Sequence, residues 1–189
     1  MEQADCIRDV ITRLETISLR YCITGSIASN YYGLPRLTHD LDIIVRLTTK
    51  EIEPLVKTFE KDFHIGKQSI VESLHDKIMF NVIHPAIGLK VDFWPLKDDE
   101  FNRDFFNHRR RGEIIPGLSA WLPSPEDLIL AKLLWYHMTP SERQLTDIKG
   151  ILEIQEGQLD LIYLRKWAKR LKVIDIIENV IKLQPPNRY

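Results

Sequence analysis

The chain has few of the features that mark secreted, membrane-spanning or zinc-finger proteins. Only two of its 189 residues are cysteine, Cys6 and Cys22, and they form no spaced pattern typical of a metal site. No apolar run is long enough to cross a bilayer, and the first residues lack the basic and apolar regions of a secretory signal. We therefore expect a cytoplasmic protein with reduced thiols and no membrane partner.

The chain as a whole also lacks a large excess of positive or negative charge. The formal net charge is -1, so a site for a polyanion has to be a local patch. The strongest basic run is Arg109 to Arg111. By default such a run is a solvated surface cluster, and the alternative is that it steers an RNA or a triphosphate.

Two common phosphate-binding motifs are absent as well. The sequence contains neither G-x-x-x-x-G-K-[ST] nor G-x-G-x-x-G. Their absence argues against the P-loop and the dinucleotide-binding solutions to phosphate recognition. A phosphate site in this chain therefore needs another architecture.

Hydrophobic periodicity predicts strands alternating with helices in the first half of the chain and helices alone in the second. Residues 4–18 and 26–33 follow a helical pattern, whereas residues 21–24 and 39–47 follow the pattern of strands. These elements belong to the α+β class, in which a mixed sheet is flanked by helices.

Local residue chemistry predicts three further elements. The segment KIMFNVIHPAIGLKVDFWPL is typical of a hairpin around a turn at residues 85–88. Pro54 is expected in the first turn of a helix that ends near Phe59, because proline is costly further inside. Ser124 is expected to cap a long helix that has Pro125 at its first position.

The length fits one domain, or a core with a helical appendage. A proline-containing stretch at residues 116–125 separates the mixed part of the chain from the helical part. We therefore expect a core of residues 1–118 and a C-terminal helical region of residues 119–189 packed on it.

Two carboxylates interrupt an otherwise apolar strand in the segment HDLDIIV. Because successive side chains of a strand point to opposite faces, Asp40 and Asp42 share one face about 7 Å apart. Two carboxylates held side by side repel each other unless a cation or water compensates them. A hard, oxygen-rich pair of this kind suits Mg²⁺, which is commonly completed by water and substrate phosphates.

A Gly-Ser turn precedes this acidic strand. Gly25 ends an apolar run and Ser26 opens the next helix. The free backbone N–H groups of a helix N-terminus form a site for an anion, and glycine lets a phosphate approach the backbone closely. One segment therefore combines a place for phosphate with a place for the metal that neutralises it.

A third acid, Asp92, interrupts the apolar strand in KVDFW. If this strand pairs beside Asp40 and Asp42, the three carboxylates meet at one sheet edge. Such a set can hold two metal ions that activate an attacking hydroxyl and stabilise a leaving phosphate. This chemistry is in-line phosphoryl or nucleotidyl transfer.

Taken together, TGS, RLTHDLDIIV and VDFW resemble the nucleotidyltransferase superfamily with the DNA polymerase beta-like core. That resemblance implies a nucleotidyltransferase-like mixed sheet followed by a C-terminal helical bundle. It also implies an NTP donor, ATP among the candidates, two Mg²⁺ ions, and release of pyrophosphate. Asp40 and Asp42 are then metal ligands, Asp92 is a ligand and the general base, and Gly25 and Ser26 grip phosphate.

More loosely, PEDLILAKLL followed by RQLTDIKGIL is similar to the branch that contains nucleotidyltransferase-like toxins of toxin-antitoxin systems. This likeness implies that Lys132 holds a nucleotide phosphate and that Asp147 orients Lys132 or assists at the site. It also implies a cognate antitoxin as a candidate partner.

Each of these residues has a structural alternative. Asp40 and Asp42 fit a solvent-facing strand edge, and Gly25 with Ser26 fits an ordinary turn and helix cap. Lys132 fits an exposed helix position. The remaining alternatives concern loop and helix residues: Asp147 pairing with Lys149 or Arg143, and Arg36 bracing its loop as readily as contacting a triphosphate.

Two functions from different classes follow from the sequence. The first is an active Mg²⁺-dependent nucleotidyltransferase whose acceptor is a tRNA, a protein or a small hydroxylated molecule. The second is a catalytically silent protein of the same fold that serves as a binding or regulatory partner. Mutually repelling carboxylates favour the active form, because a silent site has no reason to keep them.

Overall fold

The computed structural model describes residues 2–183, which form two compact units. Residues 2–27 and Leu37–Pro123 form the first unit, and Ala28–Arg36 with residues 124–183 form the second. The predicted cut between residues 118 and 119 falls inside a strand of the first unit. The division into a core and a separate helical domain stays a prediction.

The first unit is built on a mixed four-stranded sheet in the order β1-β2-β4-β3. β2 pairs with β4 in parallel, whereas β1 with β2 and β3 with β4 pair antiparallel. The strands and helices of this part are α1 (Gln3–Thr16), β1 (Tyr21–Ile23), α2 (Gly25–Tyr32), β2 (Asp40–Val45), α3 (Thr49–Phe59), α4 (Lys67–Asp76), β3 (Phe80–Ile83) and β4 (Lys90–Pro95). α2 begins in the first unit, and its residues from Ala28 onward belong to the second.

One face of the sheet is apolar because the strands alternate in polarity. Leu41, Ile43 and Val45 of β2 are buried, as are Val91 and Phe93 of β4. α1 contributes its own buried stripe, with Val10 and Leu14 fully inaccessible. The other face of β2 and β4 is thereby left for polar side chains.

Residues after β4 form three elements that periodicity did not predict. These are α5 (Glu100–Asn107), β5 (Arg110–Ile115) and β6 (Leu118–Leu122), and the two strands form an antiparallel pair. Leu118, Ala120 and Leu122 are buried while Ser119 is exposed. The alternation of a half-buried strand was therefore present in a segment that the sequence analysis treated as a boundary.

The predicted position of Pro54 is wrong. α3 begins at Thr49, where Thr48 and Glu51 form a capping box, and this places Pro54 inside the helix. The capping box determines the start of the helix, and proline is accommodated at the cost of one backbone hydrogen bond. The predicted hairpin of β3 and β4 and the helix capped by Ser124 are confirmed.

The second unit is helical apart from its connecting segments. It contains α6 (Pro125–Met138), α7 (Glu142–Ile154), α8 (Leu161–Arg170) and α9 (Ile174–Lys182). The hydroxyl of Ser124 accepts a hydrogen bond from the backbone N–H of Asp127, as an N-cap does. The predicted α+β class is confirmed. Within residues 2–183, no helix has the length and apolar character needed to cross a membrane.

Candidate active site

The acidic residues lie on the polar face of β2 and β4. The two strands pair in parallel register, with Asp42 directly opposite Asp92 and Asp40 opposite Lys90. Because side chains of directly paired residues project to the same face, the three carboxylates share that face. The predicted pairing of the Asp92 strand beside Asp40 and Asp42 is confirmed.

The carboxylates differ strongly in their access to solvent. Asp40 is exposed, Asp42 is half-buried, and Asp92 is buried with 6% of its surface accessible. One carboxylate oxygen of Asp92, Oδ1, is buried and has no hydrogen-bond partner. Since buried polar atoms are nearly always paired, this oxygen is a ready acceptor for a ligand atom or a proton.

Lys90 occupies the space between two of these acids. Its Nζ lies 2.9 Å from Oδ2 of Asp92 and 4.0 Å from Oδ1 of Asp40. The hydrogen bond to Asp92 and the charges of Asp92, Asp40 and Asp42 raise the pKa of Lys90. Within residues 2–183, no three His, Cys, Asp or Glu side chains converge into a cluster able to hold a metal ion, these carboxylates included.

Asp42 is held by its backbone and by its side chain. Its carbonyl oxygen accepts a hydrogen bond of 2.9 Å from the backbone N–H of Thr24. Its Oδ1 accepts a hydrogen bond of 3.3 Å from Nε1 of Trp94, two residues beyond Asp92 on the same face of β4. The bond from Thr24 thus fixes the backbone of Asp42, and the bond from Trp94 orients its carboxylate.

Gly25 brings the start of α2 against Asp42. It adopts φ +61°, in the left-handed region, and a Cβ built on it would lie 2.0 Å from Oδ2 of Asp42. No residue with a side chain fits here without displacing the carboxylate, so glycine is required for two reasons. The predicted phosphate-gripping residues, Gly25 and Ser26, therefore open a helix beside one of the predicted metal ligands.

The other two predicted site residues lie in the second unit. Lys132 and Asp147 are both buried, and Nζ of Lys132 donates a hydrogen bond of 2.8 Å to Oδ2 of Asp147. Arg36 adds two more hydrogen bonds to the same carboxylate, from Nε to Oδ1 at 2.8 Å and from its terminal nitrogen to Oδ2 at 3.0 Å. Arg36 and Lys132 therefore share the carboxylate of Asp147.

Electrostatics keep this cluster ionised. Burial on its own raises the pKa of Asp147, but hydrogen bonds and charges of Arg36 and Lys132 outweigh it and leave that pKa below its ordinary value. The hydrogen bond to Asp147 raises the pKa of Arg36. The structure thus brings Lys132 and Asp147 together, and their contact with a nucleotide stays a prediction.

The basic run lies at the start of β5 and packs on aromatic rings. The guanidinium of Arg109 lies 4.3 Å from the ring centroid of Phe106 and 5.0 Å from that of Trp121. Arg111 forms an ion pair with Glu15. Two of the three arginines therefore have structural partners, and steering of an RNA or a triphosphate by this run stays a prediction.

Sequence reasoning missed Lys90, and it did not decide whether Arg36 braces its loop or contacts a triphosphate. Lys90 lies two residues before Asp92, so strand alternation alone places it on the acidic face. The partner of Arg36 is 111 residues away in the chain, and nothing local in the sequence indicates that pairing.

The residues present fit a hard divalent cation. Their donors are carboxylate oxygens, and Asp92 has a buried oxygen with no partner. In this structure the ammonium of Lys90 neutralises part of their charge.

No family model matches the chain, and no curated protein sequence matches it. Solved structures do. The chain is similar to the antibiotic-resistance factor ANT(2'')-Ia in solution, with a TM-score of 0.63 and 12% identity over 94% of this chain and 97% of that one. It is similar to an antigenic nucleotidyltransferase-like protein from Paracoccidioides brasiliensis, with a TM-score of 0.56 and 17% identity over 98% and 94% of the two chains.

A third similar structure is the lincosamide antibiotic adenylyltransferase LnuA with bound lincomycin. Its TM-score is 0.51 at 13% identity, over 80% of this chain and 96% of that one. At such identities the likeness concerns the fold. The chain therefore has a nucleotidyltransferase-like fold, as its sequence resemblance implied.

Proposed function

We propose that this protein is a metal-dependent nucleotidyltransferase, which transfers a nucleoside monophosphate from an NTP to a hydroxyl group and releases pyrophosphate. One observation carries the proposal: Asp42 and Asp92 are direct partners on parallel strands, and the glycine that opens α2 lies against Asp42. An acidic face beside a helix N-terminus suits a cation and a polyphosphate together.

Asp40, Asp42 and Asp92 are the residues that would hold Mg²⁺, because all of their donor atoms are carboxylate oxygens. When bound, the metal supplies electrophilic stabilisation of the charge that develops on the phosphates. Gly25 and Ser26 offer the start of α2 to the negative charge of the triphosphate.

Asp92 is the group placed to move a proton. Its Oδ1 is buried and has no partner, so it can accept the proton of the acceptor hydroxyl. The hydroxyl oxygen then forms a bond to the α-phosphorus, and the bond from that phosphorus to the bridging oxygen breaks. Pyrophosphate leaves with the electron pair, and the acceptor carries the nucleoside monophosphate.

Within the second unit, Lys132 is a buried cation beside Asp147, and an ammonium group suits an anion such as phosphate. Lys132 is proposed to hold a nucleotide phosphate, with Asp147 fixing the position of its ammonium. Such a role agrees with a buried lysine whose charge is maintained by a paired carboxylate.

A small hydroxylated molecule is the acceptor that the comparisons favour. The structures similar to this chain include ANT(2'')-Ia in complex with adenylyl-2''-tobramycin and LnuA with bound lincomycin. ATP is the corresponding donor, since one product is adenylylated and LnuA is named an adenylyltransferase. A tRNA or a protein acceptor, and a cognate antitoxin, have no support in the structure.

The decisive experiment uses NTPs labelled at the α-phosphate. The protein is incubated with each labelled NTP, Mg²⁺ and either a cell extract or a panel of hydroxylated antibiotics. We expect label on a small acceptor with ATP, and none with Asp42→Asn. Asp175→Asn is the matched control, because Asp175 is an exposed acid at the start of α9. Label released as free nucleoside monophosphate in every sample would instead indicate hydrolysis.

The second candidate is a catalytically silent binding protein. One observation favours it: Lys90 lies between Asp40 and Asp92, where an active site needs a metal. Melting temperatures with NTP and Mg²⁺ decide between the two. When the free NTP concentration is a hundredfold above Kd, binding raises the free energy of unfolding by about 2.7 kcal/mol. The active form predicts this gain in the wild type and its loss in Asp42→Asn, whereas identical responses favour the silent form.

A further inference from the structure

Lys90 is the one feature of the acidic face that the proposed function does not use. Its ammonium donates to Oδ2 of Asp92 at 2.9 Å and lies 4.0 Å from Oδ1 of Asp40. The side chain of Asp92 is 9% accessible and that of Lys90 is 38% accessible. A partly solvated cation therefore covers an almost buried anion.

We propose that Lys90 is a displaceable counter-ion that occupies the carboxylate site in place of a metal, so that metal entry requires its ammonium to leave Asp92. This inference rests on the proposed function, because it presumes that the carboxylates serve as metal ligands. Lys90 then influences both the affinity of the carboxylate site for metal and the number of ions that it binds.

Charge counting gives the stoichiometry. Once the ammonium has left, three carboxylates give the acidic face three negative charges. One divalent cation neutralises two of them, so the nucleotide-free protein is expected to take one ion. A second ion then depends on the negative charge that a bound triphosphate brings.

The identity of the residue agrees with a group that moves. Lysine carries a compact charge on a flexible stem, whereas arginine would hold a carboxylate through a rigid pair of hydrogen bonds. The stem of Lys90 starts on β4, in register with Asp40, so rotation of its side chain can withdraw the charge while the strand stays in place.

A displaceable counter-ion and an ordinary ion pair predict different changes in metal affinity when Lys90 is replaced. Lys90→Met removes the charge and keeps an unbranched apolar stem. If Lys90 competes with metal, this variant leaves three repelling carboxylates, so the metal-free protein melts at a lower temperature while its metal affinity rises. If Lys90 is only a structural partner, the variant loses stability and gains no affinity.

The experiment uses the full chain and Mn²⁺ as the probe, because Mn²⁺ accepts the same oxygen ligands and its binding is followed by electron paramagnetic resonance. Titrations without nucleotide compare the wild type, Lys90→Met and Lys90→Arg, and melting temperatures are measured in a chelator. Lys97→Met is the matched control, since Lys97 is exposed and lies beyond the other end of β4.

We expect Lys90→Met to bind one Mn²⁺ about tenfold or more tightly than the wild type, because one positive charge within 4.0 Å of the ligands is gone. Lys90→Arg is expected to bind Mn²⁺ about threefold or more weakly than the wild type, because a guanidinium holds its carboxylate through a rigid pair of hydrogen bonds. Mn²⁺ binding by Lys97→Met is expected to be unchanged, because Lys97 is exposed and lies beyond the far end of β4, where salt screens its charge.

Equal or weaker Mn²⁺ binding by Lys90→Met, with binding by the wild type, overturns this inference and leaves the proposed function standing. Absence of Mn²⁺ binding in both proteins even with NTP present overturns the inference and the proposed function together. A rise in affinity equal to that of Lys97→Met also overturns it, because a general change of charge then accounts for the result.

Discussion

Replacing Gly25 by alanine tests whether the start of α2 and the acidic face form one site. The new Cβ would meet Oδ2 of Asp42 at 2.0 Å, well below the 3.0 Å under which real Cβ contacts essentially do not occur. The carboxylate therefore has to move by about 1 Å, as judged from that difference. In addition, alanine has to adopt φ +61°, which glycine adopts without strain and residues with a Cβ adopt only at a cost.

The two costs can be estimated separately. A left-handed alanine costs about 1–2 kcal/mol. Pushing the side chain of Asp42 off its rotamer costs about 0.5–1.5 kcal/mol more. Gly25→Ala should therefore destabilise the protein by about 1.5–3.5 kcal/mol, which lowers the melting temperature by roughly 2–4 °C per kcal/mol in a chain of this size.

Gly157→Ala separates these costs. Gly157 has φ +73°, and nothing lies within 4 Å of a Cβ built there, so alanine is strained without a clash. Melting curves and transfer rates are measured for both variants. We expect Gly157→Ala to lose only the stability that the left-handed backbone costs and to keep the proposed transfer activity. We expect Gly25→Ala to lose about 100-fold in transfer rate, because it displaces Asp42, one of the proposed metal ligands. Equal destabilisation with unchanged transfer in both would refute the reasoning.

Three predictions concern the second unit. Asp147→Asn should cost about 3–5 kcal/mol in denaturant unfolding, because Lys132 and Arg36 lose their shared carboxylate in a buried site. The pKa of Asp147 is lower in the folded state than in the unfolded state. The stability that its ionised carboxylate contributes is therefore complete above about pH 3.9 and is lost as the pH falls through the folded-state pKa. In acid-unfolding curves, the difference in stability between the wild type and Asp147→Asn should shrink over the same range. Tyr163→Phe should cost about 1–3 kcal/mol in the same denaturant assay, because the tyrosine hydroxyl donates a hydrogen bond of 2.7 Å to the buried carboxylate of Asp127. Unchanged stability in Asp147→Asn would show that the cluster tolerates its own excess charge.

Local chemistry was sufficient for most of the elements near the acidic face. Strand alternation placed Asp40 and Asp42 on one face, and the Gly-Ser turn marked the start of α2. Capping chemistry was sufficient for α6, where Ser124 accepts from Asp127. These features depend on neighbours a few residues apart, which is the range that periodicity and cap preferences report.

Longer-range contacts were beyond that reasoning. Arg36 meets Asp147 across 111 positions of chain, whereas the sequence analysis considered only Lys132, Lys149 and Arg143 as partners of this acid. Lys90 was visible as the residue two before Asp92, but its place between two carboxylates depends on the pairing of β4 with β2.

The amino-acid sequence by itself determined which residue types lie on the polar side of each strand, because the side-chain period of a strand is two. Only the tertiary structure decided that Asp92 faces Asp42 and that Lys90 faces Asp40. The reason is register: a shift of β4 by two residues against β2 would keep Asp92 on the polar face but bring Lys90 or Trp94 opposite Asp42, and strand alternation alone does not distinguish these alignments.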